Sequence, residues 1–381
     1  MIKYSSFTSS NGKDEYFISI SSERSSDFSK CIESFYESYV SILKKLDLTD
    51  DTQLFCRFYL SDIANQKKEL LSSKLFKTSP NSAYSIIQQC PLDGGSVSML
   101  SYHIKGKNEK KTLKFKNSDW KNGVIIQGEN YGLYYTGNFL SDGPFDSFKQ
   151  TNDIFSDYNL FLKEYKMSLL KNTIRTWIYL RDIDNNYAGM VEARKKYFEK
   201  SGLTKDTRYI ASTGIEAKLK ETSTLVSMDA ISICGLKPEQ IIRMEAREHL
   251  NPTLEYGVTF ERGTKIEFGD RSHLYISGTA SIDKHGNILH TGDIRKQTKR
   301  TLENIRALLR PHGANLEDMA YFIVYVRNIT QAKEVEDILR KEKLDNVPVI
   351  FAEGAVCRPG WLVEIEGVAI IHTNTNWPVF F

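Results

Sequence analysis

The feature that most constrains the fold of this 381-residue chain is that it repeats itself. Leu274–Ala280 reads LYISGTA and Leu133–Phe139 reads LYYTGNF. KQTKRTLENIRALL, from Lys296, answers KQTNDIFSDYNLFL, from Lys149. FIVYVRNI, ending at Ile329, answers TWIYLRDI, ending at Ile183. Last, FAEGAVCRPGWLVEIEGVAI, from Phe351, answers ASTGIEAKLKETSTLVSMDAISI, from Ala211. The interval from Gln297 to Tyr325 is 28 residues and that from Gln150 to Tyr179 is 29, so the blocks keep both order and spacing. A third, shorter copy opens the chain. FYLSDI (Phe58–Ile63) matches the VYVRNI block, and AYSIIQQCPLDGGSVSMLSYHI, from Ala83, sets Cys90 on Cys357. This copy is expected to lack the front hairpin and first helix.

Periodicity gives one unit its structure. IEFGDRSHLYISGTASI alternates around Gly269 and Asp270, as a β-hairpin does. The next segment opens on Asp293 as N-cap, places Ile294, Leu302, Ile305 and Leu309 on one face, and closes on Pro311 and Gly313, which predicts a helix. MAYFIVYVRNI reads as a buried strand, TQAKEVEDILRKEKL as a helix started by Thr330, and VPVIFAEGAV and GWLVEIEGVAI as strands. The unit is β-β-α-β-α-β-β, about 110 residues, an ordinary domain size. The expected fold is α+β: residues 1–110 a degenerate first unit, 111–238 a second, 239–259 a connector, and 260–381 a third. A mixed sheet with its helices on the outer face must bury its other face, and three sheets around one axis do so.

The bulk numbers exclude several function classes. A net charge of +3 gives no reason to expect a nucleic-acid groove or a membrane patch. The densest basic run, KGKNEKKTLKFK at 105–116, reads as a solvated loop or strand edge. Five widely spaced cysteines without C-x-x-C argue against a disulfide framework or zinc cluster and for a reducing compartment. The N-terminus has no apolar h-region and no window is apolar enough for a membrane helix, so the expected location is the cytoplasm. The seven histidines show no metal-ligand spacing, and His285 and His290 flank a turn. Dinucleotide, Walker, zincin and serine-hydrolase motifs are all missing from the sequence.

Aligning the copies shows where they differ. Glu364 falls opposite Ser227 and Ser98, so only the third copy keeps a carboxylate there, while Glu366 falls opposite Asp229. One divergent position of three fits a single site for an asymmetric substrate. A strand Glu flanked by Leu362, Val363 and Ile365 reads either as a carboxyl in an apolar wall or as a solvent-facing or ion-paired residue.

The SGTA block, the QT-initiated helix and the terminal VEIE strand resemble the YjgF/Rid fold, a family of homotrimers with a ligand site at each interface. That resemblance puts Glu364 at the family's site glutamate. The set IASTGIEAK, LVSMDA, NPTLEYGVTFERGT, GDRSHLYISGTASID and VCRPGWLVEIE resembles the chorismatase family, over most of residues 112–372 and weakly over the first hundred. The resemblance implies a fused pseudo-trimer that releases pyruvate from chorismate with no metal or organic cofactor. The ring product is either a cyclohexadiene trans-diol carboxylate or 3-hydroxybenzoate, and Glu364 is the general acid on the enolpyruvyl group.

The substrate's two carboxylates call for arginine. Tyr187 and Arg194 lie seven apart on one helical face, and in the Rid family this helix borders a neighbouring site; an amphipathic surface helix is the other reading. Arg247, Phe260 and Arg262 are candidates in the connector, beside a plain loop reading. Gly278, Thr279 and Ala280 end the hairpin where a glycine permits close approach to ligand, or marks a bulge. Cys357, seven residues before Glu364, is a ring contact that favours 3-hydroxybenzoate, or an apolar filler. The expected partner is small-molecule chorismate, with no nucleic acid or membrane, and the expected state is a monomer. The rival functions are a Rid-type imine deaminase and a non-catalytic small-molecule binder on the same scaffold.

Overall fold

The computed structural model describes residues 1–381 except 24, 26, 79–80, 107–108, 114, 116–119, 220, 222 and 345. Four positions of the basic run (Lys107, Asn108, Lys114 and Lys116) therefore lie outside the described residues.

Three sheets follow one another along the chain. The first holds β1 (Ile2–Phe7), β2 (Glu15–Ser21), β3 (Gln53–Leu60), β4 (Ala83–Gln88) and β5 (Val97–Ile104), with α1 (Phe28–Leu46), α2 (Ile63–Ser72) and α3 (Lys74–Lys77). The second holds β6 (Glu109–Leu113), β7 (Asn122–Gln127), β8 (Gly132–Leu140), β9 (Thr173–Leu180), β10 (Ala211–Glu216) and β11 (Val226–Cys234), with α4 (Ser147–Glu164), α5 (Leu169–Asn172) and α6 (Ile183–Lys200). The third holds β12 (Ile241–Met244), β13 (Gly263–Glu267), β14 (Arg271–Thr279), β15 (Met319–Val326), β16 (Val349–Glu353) and β17 (Val363–His372), with α7 (Ile294–Leu309) and α8 (Ala332–Lys341). The common order is β2-β5-β3-β4, β8-β11-β9-β10 and β14-β17-β15-β16. In each sheet the last strand runs antiparallel between the hairpin and the middle strand, and the edge strand is parallel to the middle one.

The first unit corrects the expectation of a truncated copy: it has both the hairpin, β1–β2, and the first helix, α1, capped by Asp27. Its strands IKYSSF and EYFISIS keep the two-residue period but share few letters with the later copies, which hides the match. The chain between the second and third units is not only a connector, because β12 pairs with β13 as the edge of the third sheet. Part of the basic run forms β6, an edge strand on β7 that straddles residues 110 and 111. Asp293 caps α7 by accepting from the Lys296 N–H, as read. Asn328 rather than Thr330 caps the turn before α8.

The QT block has a structural purpose. Gln297 accepts from the Leu362 N–H at 2.9 Å and donates to the Gly360 carbonyl at 2.9 Å. Gln150 treats Leu225 and Ser223 alike, at 2.8 and 2.9 Å. A buried amide on the first helix thus fixes the loop that feeds the last strand in both copies.

The inner faces of the three sheets meet in one aromatic core. Phe55 and Tyr102 of the first unit pack on Tyr135 of the second, with ring centroids 5.4 and 5.6 Å apart, and Phe17 packs on Tyr321 of the third at 5.4 Å. Separate apolar layers hold α1 and α2 to the first sheet and α4 and α6 to the second.

The first and third units are also joined by a buried charge cluster. Glu15 accepts from Arg271 at 2.7 Å and from Tyr102 at 2.5 Å, and lies 2.9 Å from His273. Burial pushes the Glu15 carboxyl up, but His273 and Arg271 outweigh it and hold the group at about 2. Its folded value lies below the ordinary 4.5, so its stabilisation is present above about pH 4.5 and is lost as pH falls toward 2. Glu15→Gln should therefore lower stability by about 3–5 kcal/mol at pH 7, the usual cost of breaking a buried pair. Urea unfolding at pH 7 and pH 3 checks this, and the difference between the two proteins should shrink at the lower pH.

Candidate active site

The edge strand β10 is stitched to the third unit rather than left open. Glu261 N–H bonds the Ile210 carbonyl at 3.1 Å, Ser212 N–H bonds Ser277 Oγ at 3.0 Å, and Glu216 N–H bonds the Ala355 carbonyl at 3.1 Å. Beside this seam lies a narrow cleft. Tyr187 and Arg194 enter it from α6, and Phe260 and Arg262 from the segment before β13. Gly278, Ala280 and Ile282 come from the end of β14 and beyond, Cys357 and Trp361 from the loop before β17, and Glu364 from β17 itself.

Glu364 is only 6% exposed. Burial, then the charge of Glu366, raise its carboxyl to about 8, against the opposing pull of Arg175 and Arg262. A carboxyl held up in this way keeps its proton to higher pH than an ordinary glutamate. A Cβ on Gly278 would lie 2.7 Å from Glu364 Cδ and closer still to its Oε1, so the missing side chain makes the space that the carboxyl fills. Arg194 and Arg262 flank the Phe260 ring, with Cζ 5.9 and 5.6 Å from its centroid. Arg262 is aimed by Asn251, whose backbone and side-chain oxygens accept from it at 3.1–3.2 Å. Tyr187 hydrogen-bonds Cys357, and burial and the nearby Glu364 push that thiol up to about 12, so it stays protonated. With a neutral Glu364, two guanidiniums give the cleft the charge pattern for a dianion.

The structure gathers Tyr187, Arg194, Phe260, Arg262, Gly278, Ala280, Cys357 and Glu364 around one cleft. Two expected residues stand outside it. The Arg247 side chain is 71% exposed and paired with Glu245 at 2.9 Å, where its charge is solvated. Thr279 is turned inward by the irregularity between Ile276 and Thr279, and its hydroxyl bonds the Ser277 carbonyl at 2.9 Å. Ser212, Thr213, Gly214, Ile282 and Trp361 line the cleft without having been singled out in the sequence. The first three sit in the IASTGIEAK block that carries part of the family resemblance, and that block is the signal that could have found them.

Strand register confirms the equivalence of Glu364, Ser227 and Ser98, which face Tyr325, Tyr179 and Tyr59. It corrects the hairpin alignment by one residue. Tyr275 faces Val368 and Tyr135 faces Ile231, so Tyr275 matches Tyr135 and Gly278 matches Asn138. The second unit thus replaces the glycine–glutamate pair by Asn138 and Ser227. Asn138 donates to the Tyr84 carbonyl at 3.2 Å and accepts from the Ile86 N–H at 3.4 Å, so its side chain bonds β4 directly across the first–second seam. At the third–first seam Ser98 donates to Ser21 at 2.8 Å.

Among the described residues no group of three or more His, Cys, Asp or Glu side chains is placed to hold a metal ion, and no helix is long and apolar enough to cross a membrane.

The endoribonuclease L-PSP family profile matches residues 266–371, the body of the third unit. A RutC family protein of Pyrococcus abyssi is 28% identical over 97 residues, 25% of this chain and 76% of that protein. A 3-hydroxybenzoate synthase of Streptomyces hygroscopicus is 26% identical over 221 residues, 52% of this chain and 64% of that protein, so the match spans less than two thirds of this relative. The crystal structure of a chorismatase superposes with a TM-score of 0.63 at 18% identity, covering 84% of this chain and 93% of that one. The architecture is therefore that of a fused YjgF-like pseudo-trimer. Within that class the chain resembles the chorismatases, with which it shares its fold over most of its length.

Proposed function

We propose that the protein cleaves chorismate to pyruvate and 3-hydroxybenzoate, and that Glu364 is the acid that starts the reaction. The observation that carries this reading is a buried carboxyl, raised to about 8, in a cleft shared with two guanidiniums. Chorismate brings two carboxylates and an enolpyruvyl ether. Arg194 and Arg262 hold the carboxylates, and Phe260 between them offers an apolar wall to the ring. Glu364, neutral when the dianion enters, adds no repulsion. It delivers its proton to the terminal vinyl carbon, and the ether oxygen's electrons stabilise the cation formed. The adjacent ring hydroxyl attacks the ether-bearing ring carbon and gives up its proton as the bond between ring and oxygen breaks and pyruvate leaves with that bond's electrons. The epoxide so formed opens with loss of the ring proton and reprotonation of its oxygen to give the aromatic phenol.

The two products together contain the atoms of chorismate with nothing added, whereas a diol product requires one water. Phe260, Ala280, Ile282, Cys357 and Trp361 give the cleft an apolar wall, which favours the non-hydrolytic product. The name of the Streptomyces relative agrees with that product. Incubation with chorismate should release pyruvate and 3-hydroxybenzoate in equal amounts, followed by a coupled pyruvate assay and chromatography. Absence of pyruvate sinks the reading. Cys357→Ala should open room for water and divert part of the flux to the diol. An unchanged product ratio would remove Cys357 from the control of product.

A further inference from the structure

Glu366 follows Glu364 by two residues on β17, so both carboxyls lie on one face of the strand. Their surroundings are opposite. Glu366 Oε1 accepts from the Trp177 indole N–H at 2.9 Å and from the Tyr325 hydroxyl at 2.7 Å. Its Oε2 accepts from the Arg175 guanidinium and the Thr213 hydroxyl. Thr213 Oγ1 in turn accepts from the Gly278 N–H at 2.9 Å and from Arg175, so its single proton is committed to Glu366. Four donors, one of them a guanidinium, thus converge on a fully buried carboxyl. None of these four donors bonds Glu364.

The second layer fixes the donors themselves. The guanidiniums of Arg175 and Arg57 stack on the Trp177 ring, with Cζ 4.7 and 4.5 Å from its centroid, and Arg57 pairs with Asp229 at 2.9 Å. Tyr59, Tyr179 and Tyr321 surround the same cluster. Toward Glu364 the charged and titratable groups are Glu366, Arg175 and Arg262, with Cys357 and, past it, Arg194 and Tyr187. The repeats show what is particular to the third unit. Asp229, the counterpart of Glu366, is engaged by Arg57 and by the Asn138 N–H, and the first unit has Leu100 there. Only the third unit carries carboxylates at both positions.

We propose that Glu366 is a positioning residue for the acid: its charge, fixed by Arg175, Trp177, Tyr325 and Thr213, keeps Glu364 in the protonated form that proton delivery requires. This rests on the reading of Glu364 as the acid. Two neighbouring carboxyls in opposite environments divide the roles, one paired with a guanidinium and one holding the proton. A purely structural ion pair between the second and third units would leave the titration of Glu364 untouched, and that difference is measurable.

The test needs no substrate. Glutamate carboxyl carbons are labelled with carbon-13 and followed by NMR across pH, the Glu364 signal being identified by its loss in Glu364→Gln. The wild-type midpoint is expected near 8. In Glu366→Gln it should fall by about one unit or more, and in Glu366→Asp, which keeps the charge, it should stay within about half a unit of wild type. An unmoved midpoint in Glu366→Gln overturns the proposal. Should that variant fail to fold, the wild-type titration still decides, because a proton held on Glu366 while Glu364 is charged overturns it as well. A shifted midpoint in a protein that releases no pyruvate would retain the coupling between the two carboxyls and reject chorismate as substrate.

Discussion

Glu364→Gln should abolish most of the pyruvate release, lowering kcat by about 100- to 10,000-fold, the usual contribution of a positioned general acid. It should also make the protein more stable. The folded carboxyl sits at about 8 against an ordinary 4.5, so between those values the folded state binds more protons than the unfolded chain. Stability is then lost as pH rises from about 4.5 to about 8. Glutamine carries no such penalty, and the variant should gain about 3 kcal/mol over wild type at pH 7, with no gain below pH 4.5. Thermal unfolding across that range checks the sign. The same carboxyl predicts a rate that declines as pH rises through about 8, when the acid loses its proton. A Glu364→Gln protein with full activity ends the acid assignment, and one with reduced stability at pH 8 ends the account of its burial.

Gly278→Ala makes the complementary test, because it leaves Glu364 in place and takes away its room. The new Cβ would meet the Glu364 carboxyl and lie 3.1 Å from the Thr213 methyl. The carboxyl is the end of a flexible side chain and can swing aside, so the stability loss should stay near 1 kcal/mol. A displacement of about 1 Å at a reacting group is worth about 100-fold in rate, and kcat should fall by that much or more. Circular dichroism and calorimetry would show a folded protein with little activity. Wild-type turnover in this variant would mean that the reactive carboxyl does not rest against Gly278.

Glutamate and glycine were both legible in the sequence, but not their pairing. The repeat set Glu364 opposite two serines, and strand register agrees. The glycine was aligned one residue off, because the letters set Gly278 on Gly137, whereas both strands bulge at the same place, opposite Glu366 and Asp229, and the register sets Gly278 on Asn138. Tyr187 and Arg194 were readable from helical spacing. Thr213 and Trp361 were not, since the first reaches the cleft from an edge strand of another unit and the second reads as an ordinary core residue. Arg247 drew attention as a charge in a connector, and Glu245 beside it in the sequence is where that charge goes. The hidden hairpin of the first unit has another origin: its strands keep the period of the later copies but few of their letters.

The position of β17 has a consequence for how the protein comes into being. The strand that carries both Glu364 and Glu366 is the last one of its sheet to be synthesised, yet it lies in the middle, between β14 and β15. The helix that supplies Tyr187 and Arg194 leaves the ribosome long before it. A nascent chain can complete its first two sheets and still lack Glu364, and the third sheet stays split into two halves with unpaired edges until β17 enters. Such non-local closure is slow. A chain that stops short of β17 therefore leaves those edges exposed and is an aggregation hazard.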